Sequence, residues 1–118
     1  MAVEKEFVEN ETKNEEKEVE KLYIHKFKKP VLYNGETITE LAFDFESLTG
    51  DDALNIENEL ASIGKAAISP AFSGEYLIRM AAKACTTPIG EDFFRKASIS
   101  DYNRLRSKAR SFLLASEL

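Results

Sequence analysis

The dipeptide Asn34-Gly35 constrains the fold of this chain more than any other feature, because it separates two segments of alternating polarity, VLY and ETITEL. A two-residue type I′ turn needs positive φ at both central positions, and Asn and Gly adopt that conformation at little cost. Pro30 restricts pairing in the first segment, which is typical of an edge strand or a strand start. The sequence therefore predicts one long or kinked strand, a tight turn and a returning strand.

The alternation also predicts which side chains of this hairpin share a face. Upstream of the turn, the segment LYIHKF places three side chains on each face, Leu22, Ile24 and Lys26 against Tyr23, His25 and Phe27. Downstream, the segment ELAFDF places its large apolar side chains on one face, Leu41, Phe43 and Phe45. A two-stranded ribbon is only marginally stable by itself. We therefore expect it to pack on the rest of the chain.

The rest of the chain has helical periodicity. Thr49 and Asp52 have the spacing of a capping box, and Gly64 can end the helix that follows. A second helix, within SGEYLIRMAAKACT, exposes only a narrow charged stripe, so we expect it to be central and the most buried. Thr87-Pro88 has the pattern of an N-cap and first helical position for a short helix through Phe93 and Phe94. The last helix starts at a cap formed by Ser98 or Ser100.

These elements predict an α+β fold, in which an N-terminal β-hairpin packs on a small bundle of about four helices. The length of 118 residues suits one domain. The acidity is uneven: of the net charge of −5, residues 1–21 carry −4 through eight Glu and four Lys, and the remainder carries about −1. We expect residues 1–20 to be a charged, disordered arm that is dispensable for folding. Residues 21–118 would then form the single domain.

Composition excludes several classes of protein. No apolar run approaches the roughly 20 residues that span a bilayer, so no membrane partner is expected. The nearly neutral body argues against general nucleic-acid binding, which favours a basic footprint. HKFKK and RLRSKAR are basic, but structural roles explain them more simply. Lysines in HKFKK protect an exposed strand edge from pairing with other strands, and RLRSKAR forms the solvent-exposed face of a helix. A single cysteine suits a reducing cytoplasm.

The residue types that carry catalysis do not form a recognisable set. His25 lies in a strand and is interpreted as a half-exposed strand residue, and Cys85 as a buried structural thiol. Asp51 and Asp52 lack the spacing of a calcium loop and suit the N-terminus of a helix. The five glycines are dispersed and form no phosphate-binding loop. We therefore predict no catalytic, cofactor-binding or metal-binding residues.

The C-terminal half has many large apolar side chains for so small a bundle. Leu113 and Leu114 are adjacent, so they point about 100° apart on a helix and do not both face the same core. An exposed remainder would form a patch of the kind that marks interaction sites. Packing of all these side chains inside the domain is the alternative. The candidate protein-binding residues are Phe93, Phe94, Phe112, Leu113 and Leu114.

The order of several short motifs over residues 22–115 resembles phage tail assembly chaperones of the contractile and long-tailed type. In the first half these motifs are Lys29-Pro30, the Asn34-Gly35 turn, Ile38 to Leu41, and the Leu48 to Asp52 step into a helix. In the second half they are the alanine-rich stretch from Tyr76 to Cys85, Glu91 to Phe94, Asp101-Tyr102 and Phe112-Leu113. No motif is diagnostic by itself, and the acidic residues 1–21 are not part of the pattern.

This resemblance implies a role that is not enzymatic. Such chaperones bind the long helical tape measure protein, keep it soluble and help to recruit tail tube subunits, and a homo-oligomer is a possible form. They act in the host cytoplasm and are absent from the mature virion. Two rival hypotheses are a small nucleic-acid-binding regulator and a minor structural protein of the tail.

Overall fold

The computed structural model describes residues 22–117. The chain forms the strands β1 (Tyr23–Tyr33) and β2 (Glu36–Phe43), and then the helices α1 (Gly50–Ser62), α2 (Gly74–Ala84), α3 (Glu91–Lys96) and α4 (Ile99–Ala115). Short 3₁₀ turns occupy Phe45–Ser47 and Pro70–Phe72. This order confirms the predicted α+β fold, whereas the predicted arm of residues 1–20 lies outside the described residues. Between residues 22 and 117, no helix is long and apolar enough to cross a membrane.

The hairpin turn has the predicted geometry. Asn34 and Gly35 have φ values of 50° and 81° and join β1 and β2 in an antiparallel pair. The register runs from Tyr33 opposite Glu36 at the turn to Tyr23 opposite Phe43 at the open end. The face that carries His25, Phe27, Leu41 and Phe43 is buried. The local turn chemistry thus fixes which face of the ribbon meets the helices.

A large bulge interrupts β1, for which the sequence predicts one long or kinked strand. Lys26 pairs with Glu40 and Val31 with Ile38, so residues 27–30 of β1 occupy the stretch of ladder that Thr39 alone fills in β2. Pro30 has no N–H to lose there, which is why the bulge tolerates it. The backbone N–H groups of Lys28 and Lys29 turn away from β2 and become available to another partner.

Replacement of Gly35 tests the turn. The Gly35→Val variant is expected to lose about 1–3 kcal/mol of unfolding free energy, because a β-branched residue is strained at this positive φ. Open space surrounds the position of an added Cβ, so the loss would come from the backbone and not from a clash. Urea unfolding measures it. Gly50→Val is the control for the effect of adding an exposed valine side chain. Gly50 also has open space around it but lacks a positive φ. An unchanged midpoint for Gly35→Val would contradict the account.

Helix α2 lies at the centre of the domain, as its sequence predicts. It packs on α1, α3 and α4, and it buries Leu77, Met80, Ala81 and Ala84. Aromatic rings from the hairpin and α3 close the core on one side. Their ring centroids lie 5.5 Å apart for Phe27 and Phe93, and 6.4 Å apart for Phe43 and Phe94. Such contacts between large rings account for much of the apolar area that a domain of this size can bury.

The prediction that Thr87-Pro88 starts the short third helix is wrong. Helix α3 begins at Glu91, after Gly90. The chain between α2 and α3 instead extends beside β2, where the Thr86 N–H donates to the Ala42 carbonyl at 2.9 Å and Phe43 forms an isolated bridge with Cys85. This tertiary pairing takes precedence over the local capping pattern, and proline suits an extended segment equally well.

The predicted water-facing stripe of α2 also needs a correction, because Arg79 is buried. Its guanidinium donates to Glu59 of α1 at 3.1 Å and to Glu75 one turn earlier on α2. The hydrogen bond from Arg79 is the main cause that lowers the pKa of Glu75 to about 2. Arg95 of α3 also pairs with Glu75. A charged position on a central helix is therefore tolerated here because opposite charges surround it.

Candidate protein-binding surface

Two of the five predicted site residues lie in the core. The side chains of Phe93 and Phe94 are 0% and 1% exposed. The Phe93 ring makes edge contacts with Phe27, and with Tyr33 at a centroid distance of 5.2 Å. Helix α3 is too short to have an apolar face on each side, and both rings pack inward. We therefore correct the candidate surface by removing Phe93 and Phe94 from it.

The other three predicted residues lie at the end of α4, where they have different surroundings. Phe112 and Leu113 are half-buried, and the Phe112 ring stacks on Phe45 with centroids 5.4 Å apart. Leu114 is 43% exposed. The expected divergence of Leu113 and Leu114 is thus present. Leu113 faces other elements of the domain, and Leu114 faces solvent.

Phe112 and Leu113 line an apolar concavity of about 200 Å³, which we name the α1–α4 groove. Its polar rim consists of Thr49, Asp52 and Ser116, and its remaining walls come from three elements, as Leu48, Ala53, Ile56, Tyr76 and Met80. The Thr49–Asp52 capping box, predicted from the sequence, positions this end of α1: the Thr49 N–H donates to Asp52 at 2.8 Å. An apolar floor with a few polar groups at the rim suits the side chains of a partner protein.

A second concavity of about 370 Å³ lies on the other side of Phe112, and we name it the β1–α4 groove. Phe112 is therefore a ridge between two grooves. Its lining is mixed: Glu46, Lys108 and Ser111 supply polar groups, and the apolar lining is Leu22, Tyr23, Ile24, Phe45, Phe112 and Ala115. The sequence identified Phe112 as a candidate binding residue, but it could not show that the ring has a groove on each side.

His25 has a different environment from the predicted one. The interpretation as a half-exposed strand residue is wrong, because the side chain is fully buried. The ring bridges the strand and α4: its Nε2 lies 3.0 Å from Asp101 Oδ1, and its Nδ1 lies 3.0 Å from the Tyr23 hydroxyl. Neutral His25 can donate from Nε2 to the carboxylate and accept from Tyr23 at Nδ1. The inward face of β1 is therefore polar at this point, and both ring nitrogens of His25 have hydrogen-bond partners.

Asp101 is the centre of this network and was not recognised as a key residue from the sequence. Its carboxylate accepts hydrogen bonds from His25, from the Ser98 hydroxyl at 2.8 Å, and from the bulge N–H groups of Lys28 and Lys29 at 3.1 and 3.2 Å. The Ser-x-x-Asp spacing indicates a helix cap and nothing more. The bulge in β1 and the first turn of α4 thus share one buried anion.

Burial and hydrogen bonding oppose each other at these two groups. Burial by itself would raise the pKa of Asp101, but the donors from Lys28, Ser98, Lys29 and His25 outweigh it and lower that pKa to about 2. For His25, burial dominates and lowers the pKa of the ring, although the bond to Asp101 works in the other direction. The folded state therefore favours a neutral imidazole beside an ionised carboxylate.

This network predicts loss of stability in acid. Because both folded-state pKa values lie below the ordinary ones, the unfolded chain binds both protons more readily. The contribution of His25 declines as the pH falls below about 6.5, and that of Asp101 is complete above about pH 5 and lost towards pH 2. Urea midpoints at pH 7, 5, 4 and 3 should therefore fall progressively. Equal midpoints at pH 7 and pH 3 would contradict the assignment.

Other groups with chemical potential have structural surroundings. Cys85 is half-buried, and burial raises the pKa of its thiol, so the reactive thiolate is disfavoured. Within residues 22–117, no cluster of three or more His, Cys, Asp or Glu side chains could hold a metal ion. The grooves on either side of Phe112 remain the strongest candidate site.

Comparison of this chain with protein-family models, with curated proteins and with solved structures finds no match.

Proposed function

We propose that this chain is a phage tail assembly chaperone, which binds the tape measure protein, keeps it soluble and helps to recruit tail tube subunits. On this proposal it works in the host cytoplasm, is absent from the mature virion and can associate with itself. The observation that carries the proposal is the order of the motifs over residues 22–115. Each activity that the resemblance implies is a form of protein binding and not catalysis.

The positions of those motifs in the fold support the proposal. Asn34-Gly35 forms the hairpin turn, Leu48 to Asp52 leads into α1, and Asp101-Tyr102 lies in the first turn of α4. Phe112-Leu113 lines the α1–α4 groove. The same short patterns thus specify the ribbon, a helix entry, a buried anchor and an apolar groove, which are features that one binding domain can use together.

The α1–α4 groove also suits the chemistry of such a partner. A tape measure protein is a long amphipathic helix, and its apolar stripe would aggregate in water before tube subunits cover it. Helix-in-groove binding places two or three apolar side chains of such a stripe in a concavity between helices. Leu48, Tyr76 and Leu113 supply an apolar lining of that kind. Exposed apolar side chains on the α1–α2 connection, Ile68 and Phe72, extend the apolar surface available to a partner.

Two adjacent leucines provide a matched test of this surface. Leu113→Glu places a charge in the α1–α4 groove and should reduce the soluble yield of a co-expressed tape measure protein several-fold. Leu114 is also among the predicted binding residues, but it does not line the α1–α4 groove. If this groove is the binding surface, Leu114→Glu, the same chemical change on the solvent side of α4, should leave the yield close to wild type. The partner to co-express is the candidate tape measure protein, which on this proposal is encoded by a very long helical reading frame downstream of this gene.

The two variants must be compared at equal folded fraction, which circular dichroism measures. Ala53→Arg tests the opposite wall of the groove and should act like Leu113→Glu. If the wild-type chain does not improve the solubility of the partner, the proposed function should be abandoned. If it does, but all three variants act like wild type, then the function stands and this groove is not the binding surface.

A nucleic-acid-binding regulator is the second candidate, and one observation favours it. Lys28, Lys29, Arg104 and Lys108 are exposed on two elements that lie together, β1 and α4. Duplex binding through phosphates would weaken steeply with salt. A gel shift that is salt-sensitive and sub-micromolar would favour this candidate over the chaperone, whereas the near-neutral charge of the domain argues for the chaperone.

A further inference from the structure

A cationic face runs along the contact between β1 and α4. The two elements lie side by side, since Lys108 Nζ is 5.2 Å from the centre of the Tyr23 ring, and Asp101 binds the backbone of Lys28 and Lys29. Five residues of strand span about 17 Å. The exposed cations along this contact include Lys28, Lys29, Arg104 and Lys108, which we name the cationic face.

The positive charge of this face is not neutralised by its surroundings. Asp101 is the anion at its centre, but that carboxylate is buried and is already bound by His25, Ser98 and two backbone N–H groups. Among residues 22–117, no ion pair of 4.0 Å or less involves a residue of the cationic face. Glu46 is an acidic neighbour, and it lines the adjoining β1–α4 groove.

The β1–α4 groove adds an apolar element to the same surface. Tyr23, Phe45 and Phe112 supply three aromatic side chains to it, and Lys108 belongs both to its lining and to the cationic face. Leu22 and Ile24 line the same groove, so the chain enters β1 at the edge of this groove. Whatever precedes Leu22 is therefore tethered to the groove and the cationic face.

We propose that residues 1–21 of this chain dock on the cationic face and the β1–α4 groove. These residues carry eight Glu and four Lys, a net charge of −4, whereas the rest of the chain carries about −1. The part nearest the groove has the sequence EEKEVEK, in which Val19 has a glutamate on each side. The segment next to Leu22 therefore offers an apolar side chain, Val19, to the nearby groove and acidic side chains to the cationic face.

The tether makes such docking effective although each contact is weak. A chain of about 20 residues would, as a random coil, have a root-mean-square span of roughly 25 Å, enough to reach across the face. A short tether gives an effective concentration in the millimolar range. Exposed ion pairs contribute little to stability, so docking agrees with the expectation that residues 1–20 are dispensable for folding. The docked segment would cover one side of Phe112 and compete with acidic partners of the same surface.

The inference does not depend on the proposed function, and paramagnetic relaxation in the full chain tests it. A nitroxide is attached at Val8→Cys in a Cys85→Ala background, and relaxation enhancements of backbone amides are measured. We expect enhancements at Leu22–Ile24 and along Arg104–Ser111. These should fall by about twofold or more in roughly 1 M salt, where the Debye length is about 3 Å. Replacement of Glu15, Glu16, Glu18 and Glu20 by Gln should have the same effect.

Variants of the cationic face provide the control. Arg104→Gln with Lys108→Gln should lower the enhancements as the replacement of the four glutamates does, and Lys83→Gln on the exposed side of α2 should leave them unchanged. Enhancements that are insensitive to salt and to both sets of Gln substitutions would arise only from the covalent connection of the two segments. That result would overturn the proposal. Enhancements that appear between spin-labelled and separately isotope-labelled chains would identify a second copy as the occupant and would also overturn it.

Discussion

The Asp101→Asn variant is expected to lose about 3–5 kcal/mol of unfolding free energy, because it removes the anion from a buried and fully hydrogen-bonded network. An amide offers one acceptor oxygen and adds two N–H donors. It would face the donors of His25, Ser98 and the Lys28–Lys29 backbone, and several would be left without an acceptor. Urea unfolding at pH 7 measures the loss.

Ser98→Ala is the appropriate comparison for Asp101→Asn. It removes one donor and the N-cap of α4, and should cost about 1 kcal/mol. The Asp101→Asn chain should also show a flatter decline of stability between pH 5 and pH 3, since the group that titrates is gone. A loss no larger than that of Ser98→Ala would mean that the network has little energetic importance.

The Phe93→Ala variant is expected to lose about 3–5 kcal/mol, the usual cost of removing a fully buried aromatic ring. The ring contacts Phe27, Tyr33 and Phe94, so its loss leaves a cavity between the hairpin and α3. Leu114→Ala, at an exposed position, should change stability by no more than about 0.5 kcal/mol. Thermal and urea unfolding measure both.

This pair of variants separates a core role from a binding role. If Phe93→Ala proved nearly neutral for stability and yet abolished partner binding, the removal of Phe93 from the candidate surface would be wrong. A large loss of stability, with a folded fraction that still binds, would agree with the account.

The features that could be predicted from the sequence are those with local causes. The positive φ at Asn34 and Gly35 and the Thr49–Asp52 capping box each depend on a few consecutive residues. Alternation in the strands predicted which side chains share a face, and the apolar pattern of α2 predicted that this helix is central and buried. These signals were sufficient for the α+β fold and for the order of its elements.

The features that could not be predicted depend on contacts between distant parts of the chain. The His25–Asp101 bond joins residues separated by 76 positions, and nothing in either local sequence indicates it. The start of α3 is displaced by pairing of Thr86 with Ala42. For the candidate site, the surplus of large apolar residues identified Phe112 and Leu113 as candidates, but the grooves exist only because α1, β1 and α4 converge there.

Site-specific photo-crosslinking tests the central claim most directly, namely that the α1–α4 groove binds a tape measure protein. A benzophenone amino acid replaces Ser116, an exposed residue at the rim of the groove, and in a control chain it replaces the exposed Lys83 of α2. Both chains are co-expressed with the tape measure protein and irradiated. The account predicts an adduct with that protein from position 116, several-fold more abundant than from position 83. Equal adducts from both positions, or no adduct from position 116, would contradict it.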